Sequence, residues 1–434
     1  MPKTQIAGIC IGALAVAALL GFRSDSPAIG RAPTAGTPAI ILEGAAADAA
    51  AIQQFYRARV HRPFWTDAAA DMFRRVLANA GEDGLDPESF SAAITATRQK
   101  GMDREILLTQ ALLDYVRALR TPSESNRVFY VDAGLAPQTS ADTLLRAAAD
   151  PPSATAYLAQ VQQMHPLYER LRKALGDYRR TGINPTRLPN PDYEQALLIN
   201  MDRLRALPAD PGRRYILVNS ASAKLIMVEN GQNVGEMPVI VGRKQHQTPS
   251  LAGLIRFSVR NPYWNLPPDL IQARAARIAS DGPALLEQER LELLSGWGND
   301  ARILQANEVD WPAVAAGTVK LRVRQLPGPD NMMGAVKFML PNRLGIYLHD
   351  TPAKQNFARK DRLLSSGCVR VADAERLYTW LMHGKAMGAV NATELRVPLP
   401  EPVPVYILYL TAFPDGGSVV LQNDGYGRDP SRRS

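Results

Sequence analysis

The spacing of apolar residues changes along the chain and divides it into two parts. In the first part, Leu108, Leu112, Tyr115 and Leu119 recur at steps of three and four, which is typical of a helix with one buried face. Glycine and proline interrupt such stretches. Helices are predicted over residues 67–80, 154–178 and 193–207. We therefore interpret residues 45–207 as a mostly helical domain.

After Arg213 the apolar residues fall in short runs that are typical of strands. Asn230-Gly231 lies between two such runs and predicts a tight hairpin, because both residues tolerate positive φ. Strands are predicted over residues 215–218, 224–228, 238–241, 255–259, 319–323, 336–340, 345–348 and 404–410. Helices are predicted over residues 269–295 and 373–383. The predicted fold class is therefore α+β: a mostly helical domain is followed by a β-rich domain, residues 208–434, with a helical insertion at about residues 268–326.

The N-terminal segment, residues 1–23, has the pattern of a signal peptide. Lys3 precedes an apolar run from Ile6 to Phe22, and polar residues follow. The run is also near the shortest length that spans a membrane as a helix, so an uncleaved anchor and membrane attachment remain open. Residues 24–44 are rich in Pro, Ala and Gly and predict a linker. In either case we expect the rest of the chain to lie outside the cytoplasmic membrane.

Composition argues against several classes of function. Hydrophobic residues make up 46% and charged residues 21% of the chain, as in ordinary globular proteins, so wholesale disorder is not expected. The net charge of +8 comes from Lys and Arg spread along the chain without a basic run, so nucleic acid is not expected as a partner. The histidines lack the paired spacing of metal ligands, so no metal or other cofactor is predicted.

Cysteine usage indicates a type of chemistry. Cys10 lies in the apolar N-terminal run, which leaves Cys368 without a partner for an intramolecular disulfide in an exported protein. A thiol with its ordinary pKa of about 8.5 needs a base or a cation beside it to act as a nucleophile. His349, at the end of a predicted strand, is the candidate base. The backbone N–H groups of Ser366, Gly367 and Cys368 are candidates for an oxyanion hole at a predicted turn.

Two motifs around these residues resemble the signature of the L,D-transpeptidase (YkuD-like) catalytic domain. His349-Asp350-Thr351 is similar to the family's His-Gly-Thr element, and residues 365–370, Ser-Ser-Gly-Cys-Val-Arg, are similar to its Ser-x-Gly-Cys-[Val/Ile]-Arg element. Asp350 in place of the commoner glycine resembles the larger periplasmic branch, which has an N-terminal scaffold domain and a capping subdomain. The resemblance extends from about Ala45 to Asp429. Its other segments are Gly242-Arg243, Gln247-Thr248-Pro249, residues 261–267, residues 324–328, Asn331, Lys337-Phe338, residues 404–406 and residues 426–429.

The resemblance implies a periplasmic enzyme of peptidoglycan and cell-wall biogenesis that affects cell shape. Cys368 would attack a diaminopimelate carbonyl in a donor stem tetrapeptide, release D-alanine and form a thioester. His349 would act as general base and acid, oriented by the backbone carbonyl of Asp350. An amine of a second stem would then form a direct cross-link, of the 3-3 type by default, with the 1-3 type also open. Stem peptides are thus the expected partners, and carbapenem-type β-lactams are the expected covalent inhibitors.

The resemblance also concerns the surroundings of the cleft. Candidate substrate contacts are Arg370, Tyr347 and Trp264, although the two aromatic side chains could equally be part of a core. Many members have a histidine at the position of Ser366, so no second imidazole is expected here. The insertion corresponds to the capping subdomain, which is either a moving lid or a fixed decoration. Members of this branch also carry a small peptidoglycan-binding domain, and residues 180–193 are too short to form one.

Two other functions stay open at this point. A cysteine amidase or L,D-carboxypeptidase would form the same acyl-enzyme and pass it to water, and the sequence does not distinguish water from an amine as acceptor. An inactive wall-binding scaffold protein is the alternative from another class. The presence of both His349 and Cys368 argues against it.

Overall fold

The computed structural model describes residues 39–150, 153–186, 190–298 and 300–430. The predicted signal, residues 1–23, lies outside the described residues, as does most of the predicted linker. The end of that linker differs from the prediction, because a helix begins at Ala39 and replaces the irregular chain expected up to residue 44. Within the described ranges, no helix combines the length and the apolar character that crossing a membrane requires.

The first part of the chain is helical, as predicted. The apolar face predicted between residues 108 and 119 is confirmed, since Leu108, Leu112 and Leu119 are buried. The predicted helix 154–178 is in fact two helices, because Pro166 lacks an N–H and begins a new helix that is capped by the His165 side chain. The helices are α1 Ala39–Ala58, α2 Asp67–Ala78, α3 Ser91–Ala96, α4 Met102–Arg120, α5 Ala141–Ala149, α6 Ala154–Val161, α7 Pro166–Thr181 and α8 Asn190–Leu204.

The second part of the chain is built around a closed sheet. Its strands are β1 Phe129–Tyr130, β2 Arg214–Asn219, β3 Lys224–Glu229, β4 Gln232–Gly242, β5 Leu251–Arg260, β10 Val336–Met339, β11 Leu348–His349, β12 Leu363–Ser365, β13 Val369–Val371 and β14 Leu395–Leu408. The order β5-β10-β11-β13-β4-β3-β2-β14 closes on itself, because β14 also pairs with β5. The β2–β3–β4 meander contains the predicted hairpin, in which Asn230 has φ 50° and Gly231 has φ 73°. The sheet is therefore a barrel rather than an open layer.

Side chains along the barrel strands alternate between two apolar cores. On β2, Ile216 and Val218 point into the barrel, whereas Tyr215 and Leu217 point outward and join the core of the helical part. The same alternation holds on β3 and β14. The helices therefore pack directly on the outer face of the barrel. The core between the helices and this face is shared by the two parts of the chain, whereas the core inside the barrel is separate.

The insertion between β5 and β10 is a mixed structure, so the prediction of a helical insertion is only half right. Gly282-Pro283 ends its first helix, and Arg290 takes φ 53° before a strand that the sequence analysis assigned to the helix. Its elements are β6 Trp264–Asn265, α9 Pro268–Asp281, α10 Ala284–Gln288, β7 Leu291–Leu294, β8 Ile303–Leu304, α11 Trp311–Ala315 and β9 Arg322–Gln325. The strands form a sheet in the order β6-β9-β7-β8. After the barrel strands come α12 Ala374–Leu381 and the hairpin of β15 Ala412–Asp415 with β16 Ser418–Leu421.

Candidate active site

Two parallel strands bring the predicted catalytic residues together. Leu348 on β11 pairs with Val369 on β13, and His349 pairs with Arg370. Leu348 and Val369 fill the barrel, so the alternation of side chains turns His349 and Arg370 to the outer face. Cys368 precedes Val369 and lies on that same outer side. The sequence motifs and the barrel register thus agree on one site.

The His349 side chain is held as a neutral base. It is only 2% exposed, and its Nδ1 lies 2.5 Å from the carbonyl oxygen of Asp350. A carbonyl only accepts, so Nδ1 carries the proton and Nε2 keeps a free lone pair. Burial, and next the Arg370 guanidinium, lower the pKa of His349 to about 3, against the raising effect of the Asp350 carbonyl. At neutral pH His349 is therefore neutral rather than a cation beside Cys368.

The Cys368 thiol is protonated at rest. Its Sγ donates to the carbonyl oxygen of Gly345 at 3.3 Å. Burial raises its pKa, and contacts with Tyr347 together with the charge of Arg370 oppose that rise only in part. Among the residues that the structure describes, no hydrogen bond joins Sγ to the His349 ring. In this conformation the thiol is therefore directed to the Gly345 carbonyl rather than to the imidazole.

Ser365 and Thr248 brace the loop that carries the nucleophile. Ser365 Oγ donates to the Cys368 carbonyl at 2.6 Å and accepts from the Gly367 N–H at 3.1 Å, while Thr248 Oγ1 donates to the Gly367 carbonyl at 2.7 Å. Gly367 has φ +118°, a conformation that favours glycine. Because its N–H is already engaged, Gly367 does not serve as the predicted oxyanion donor in this conformation. The N–H groups of Ser366 and Cys368 have no partner among the described residues.

A second layer of contacts fixes Thr248. The Tyr426 hydroxyl donates to the Gly242 carbonyl at 2.7 Å and accepts from the Thr248 N–H at 3.3 Å. A Cβ on Gly242 would lie 2.0 Å from the carbonyl oxygen of His246, so only glycine lets these segments approach. In the sequence these residues stand out only as matches to the family's motifs, without a role. The structure shows that they position the nucleophile loop.

Arg370 is a cation without a counter-ion among the described residues. Its Nε is buried without a hydrogen-bond partner, and no ion pair of Arg370 occurs within the described part of the chain. Burial lowers its pKa, but a guanidinium keeps its charge at neutral pH. The charge lies close enough to affect the pKa values of both Cys368 and His349. The site therefore presents a free positive charge beside the nucleophile.

The Asp350 side chain explains how this chain accommodates an aspartate in its His-Asp-Thr element. Its carboxylate accepts from the Ala335 N–H at 2.9 Å and from Lys354 Nζ at 2.5 Å. A Cβ at Gly334 would lie 2.3 Å from that carboxylate, so a glycine is needed opposite the aspartate. These contacts hold the peptide whose carbonyl orients His349. The sequence signal that was missed is a lysine four residues after the aspartate.

The two predicted aromatic contacts have different positions. The Tyr347 ring lies 5.8 Å from the His349 ring and packs against both the barrel core and the core of the insertion. Burial raises the pKa of the Tyr347 hydroxyl, and its interaction with the Cys368 thiol raises that pKa further. Trp264 is buried in the core of the insertion, where β6 pairs with β9. Trp264 thus packs the insertion, whereas Tyr347 connects the insertion to the site.

Comparison with known families agrees with this geometry. The family model of the L,D-transpeptidase catalytic domain matches residues 213–407, and that of the scaffold domain matches residues 50–175. The barrel part of the chain is thus similar to the L,D-transpeptidase catalytic domain, and the helical part to the scaffold domain. The chain is also 29% identical over 398 residues to a protein from Haemophilus influenzae that is provisionally named an L,D-transpeptidase. That match covers 87% of this chain and 78% of the relative.

Solved structures also match, at low similarity. An L,D-transpeptidase from Mycobacterium smegmatis is 12% identical, with 45% of this chain and 58% of the other covered and a TM-score of 0.23. Bd1075 of Bdellovibrio bacteriovorus is 16% identical, with 50% and 53% covered and a TM-score of 0.20. Superpositions this weak carry no argument about the present chain. The similarity to L,D-transpeptidases rests on the two domain matches and the relative from Haemophilus influenzae.

Proposed function

We propose that this chain is a peptidoglycan L,D-transpeptidase that works through an acyl-enzyme on Cys368. The observation that carries the proposal is a protonated thiol and a neutral imidazole, brought to one face of the barrel by adjacent parallel strands. Such a pair suits nucleophilic attack coupled to proton transfer. The similarity to L,D-transpeptidases supplies the substrate class, peptidoglycan stem peptides.

Acylation begins when the Cys368 thiol turns from Gly345 and gives its proton to His349 Nε2. The sulfur attacks the carbonyl of the diaminopimelate residue that is linked to the terminal D-alanine. The N–H groups of Ser366 and Cys368 are the free donors for the oxyanion that forms. The imidazolium then protonates the leaving amine, and D-alanine departs while a thioester remains on Cys368.

Transfer reverses the proton movements. An amine of the acceptor stem attacks the thioester carbonyl and loses a proton to His349. The tetrahedral intermediate expels the sulfur, which recovers a proton from the imidazolium. A new peptide bond and a free thiol result, and the cross-link is of the 3-3 or the 1-3 type according to the acceptor amine.

Arg370 has two tasks in this proposal. Its unpaired guanidinium stabilises the negative charge that develops on sulfur during attack, since its charge already opposes the rise that burial causes in the pKa of Cys368. It is also the free cation of the site that a carboxylate of the donor stem can pair with. Tyr347, which touches both the thiol and the insertion, forms the wall of the cleft on that side.

The proposal places the enzyme in the periplasm, where stem peptides are accessible, after export directed by residues 1–23. Carbapenem-type β-lactams should react with Cys368 by the same attack on a carbonyl. In these compounds the leaving nitrogen belongs to the opened ring, so it remains attached to the acyl group. The product is therefore a covalent adduct that blocks the thiol.

A product assay tests the proposal. Purified protein is incubated with disaccharide-tetrapeptides, and the products are separated and weighed by mass spectrometry. The proposal predicts cross-linked dimers that are lighter by one alanine than two substrates, together with free D-alanine. Tripeptide monomers alone would instead show hydrolysis, and unchanged substrate with a folded protein would contradict the proposal altogether.

A further inference from the structure

A cleft runs along the seam between the helical part and the barrel, and Cys368 is not among its lining residues. Its first cavity, of about 690 Å³, lies between the end of α4, the segment leading to β1 and the C-terminal residues around Arg428. A second cavity, of about 530 Å³, continues it. Arg120, Ala136 and Pro137 line both cavities, so the two form one elongated space. We refer to this space as the seam cleft.

The first cavity of the seam cleft is strongly cationic. Four arginines line it, and no acidic residue is among its lining residues: Arg120, Arg127, Arg203 and Arg428. Two of the charges have partners outside the lining. Arg203 pairs with Asp429 at 2.7 Å, and Arg127 pairs with Glu124 at 2.9 Å on the surface.

The other two charges have only neutral partners in the ranges that the structure describes. Arg120 Nη2 donates to the Val161 carbonyl at 3.3 Å. Arg428 donates to Gln247 Oε1 at 2.8 Å and to the Thr248 carbonyl at 3.0 Å. Neither guanidinium forms a salt bridge there. Two half-buried cations that face a common cavity without carboxylates favour an anionic ligand.

The shape and the lining residues of the seam cleft limit the kind of ligand that it can bind. Phe129, Tyr130 and Pro137 contribute apolar surface beside the charges. A small inorganic anion would fill little of two joined cavities of about 690 and 530 Å³. Arg205 and Asp210 both line the second cavity, so the excess of positive charge belongs to the first. A chain-like ligand that places carboxylates in the first cavity and continues into the second uses both the charge and the length.

We propose that the seam cleft is a second binding site for peptidoglycan, which it holds through the carboxylates of stem peptides. The inference rests on the proposed function, because that function supplies the substrate class. The site is distinct from the catalytic one, since its lining includes neither Tyr347, His349, Cys368 nor Arg370. It would keep the enzyme on the polymer between reactions, in a chain that has no room for a separate binding domain between its helical and barrel parts.

Sedimentation with purified peptidoglycan sacculi tests the seam cleft. The full chain with Cys368→Ala serves as the parent, so that no turnover occurs. Adding Arg120→Gln and Arg127→Gln should weaken binding about tenfold, because two charged contacts are lost. Adding Arg146→Gln and Arg180→Gln removes the same charge from exposed helix surface outside the cleft and should leave binding within about twofold of the parent.

Two further arms make the outcome decisive. Ser125→Glu places a carboxylate at the exposed edge of the first cavity without removing a buried contact, and it should also weaken binding. Soluble disaccharide-tetrapeptide should compete with sacculi, whereas glycan strands freed of stems should not. Competition by the bare glycan alone would overturn the assignment to stem carboxylates. Equal binding by the parent, the cleft variants and the control variant would overturn the site itself.

The same proteins with Cys368 restored separate this inference from the proposed reaction. The cleft variants should acylate with a carbapenem at the parent rate, since their substitutions lie outside the catalytic site. If no protein forms cross-links but the difference in sacculus binding persists, the proposed reaction fails and the seam cleft stands. If cross-linking occurs and all proteins bind sacculi equally, the seam cleft fails alone.

Discussion

At the residue scale, the ionisation of the catalytic pair determines how the reaction starts. A thiolate–imidazolium pair at rest would need a raised histidine pKa and a lowered cysteine pKa. This site has the reverse, because burial acts on both groups and Arg370 further disfavours a charged imidazole. In the proposed reaction, proton transfer from Cys368 to His349 therefore accompanies attack, and substrate binding brings the thiol to the base.

The low pKa of His349 predicts an unusual pH profile. The base is lost only as the pH falls toward about 3, so acylation by a carbapenem should stay nearly constant from pH 7 to pH 5. His349→Ala should slow acylation at least about a hundredfold across that range, as expected for loss of a general base. Stopped-flow measurement of acylation in both proteins checks this. An acid limb near the ordinary histidine value of about 6.5 would show that His349 titrates as an exposed imidazole.

Ser365 provides a test of the nucleophile loop. Ser365→Ala removes the hydroxyl that links the Cys368 carbonyl to the Gly367 N–H, so the loop should hold its thiol less accurately. We expect acylation to slow about tenfold, because small displacements of a reacting group are costly. Ser89→Ala in the helical part is the matched control and should react at the parent rate. A Ser365→Ala protein with the parent acylation rate would remove this brace from the account.

At the scale of elements, the sequence was most informative where an apolar run was uninterrupted. Such runs predicted β2, β3 and the C-terminal end of β14, and they are continuous because both faces of these strands are buried, one in each core. The end of the insertion's first helix was missed, because the apolar content of residues 291–294 suits a helix or a strand equally well. The Pro166 boundary was readable from proline chemistry and was overlooked.

The site shows the same division between local and tertiary information. Cys368, His349 and the Asp350 carbonyl were predictable, because each belongs to a contiguous motif and the structure brings them to one place. The Gly367 N–H was misassigned, because its partner Ser365 depends on how the loop folds. The unpaired state of Arg370 depends on which residues the fold packs around it, and a local sequence pattern does not contain that information.

The start of α7 predicts an acid-sensitive element. His165 caps this helix by accepting from the Leu167 N–H at 3.2 Å, and its Nε2 lies 3.1 Å from the Tyr215 hydroxyl. Burial lowers its pKa to about 4. As the pH falls, His165 therefore takes up a proton at a higher pH in the unfolded chain than in the folded chain. The contribution of His165 to the free energy of unfolding is complete above about pH 6.5 and is lost as the pH falls toward about 4.

The expected contribution of His165 is at most about 1.4 kcal/mol per pH unit in that window. His165→Asn keeps an acceptor at the cap and removes the titration, so its unfolding free energy should fall less steeply between pH 6 and pH 4. Urea unfolding of parent and variant at several pH values measures the difference in slope. Parallel pH dependences would mean that His165 does not titrate between the folded and unfolded states.

At the scale of the whole molecule, the helical part and the barrel are one folding unit. The outer barrel face buries large apolar side chains against the helices: Tyr215, Leu217, Ile226, Val228, Tyr406 and Leu408. Each such side chain contributes about 1.5–3 kcal/mol when buried. Their sum is of the same order as the whole stability of a typical domain, about 5–15 kcal/mol.

Separating the two parts should therefore unfold the barrel. We expect residues 208–434, produced alone, to aggregate or to melt far below the full chain, whereas the full chain should unfold in a single transition. Circular dichroism and calorimetry on the two proteins test this. A soluble fragment with the melting temperature of the full chain would mean that the barrel does not need the helices.

The insertion is tied to the barrel by few contacts that reach the site. Tyr347 packs between the two cores, and Arg243 pairs with Asp269 at the start of α9 at 3.2 Å. Both contacts border the catalytic face, so a movement of the insertion would change the surroundings of the thiol. Whether it closes over a bound stem stays a prediction.

The most direct test of the account is the intact mass of the protein during reaction with a tetrapeptide stem. Rapid acid quenching should trap the full chain with the mass of one stem added and one alanine lost, and peptide mapping should place the adduct on Cys368. Cys368→Ala should remain folded and show no adduct. An adduct on another residue, or turnover by Cys368→Ala at the parent rate, would contradict the account.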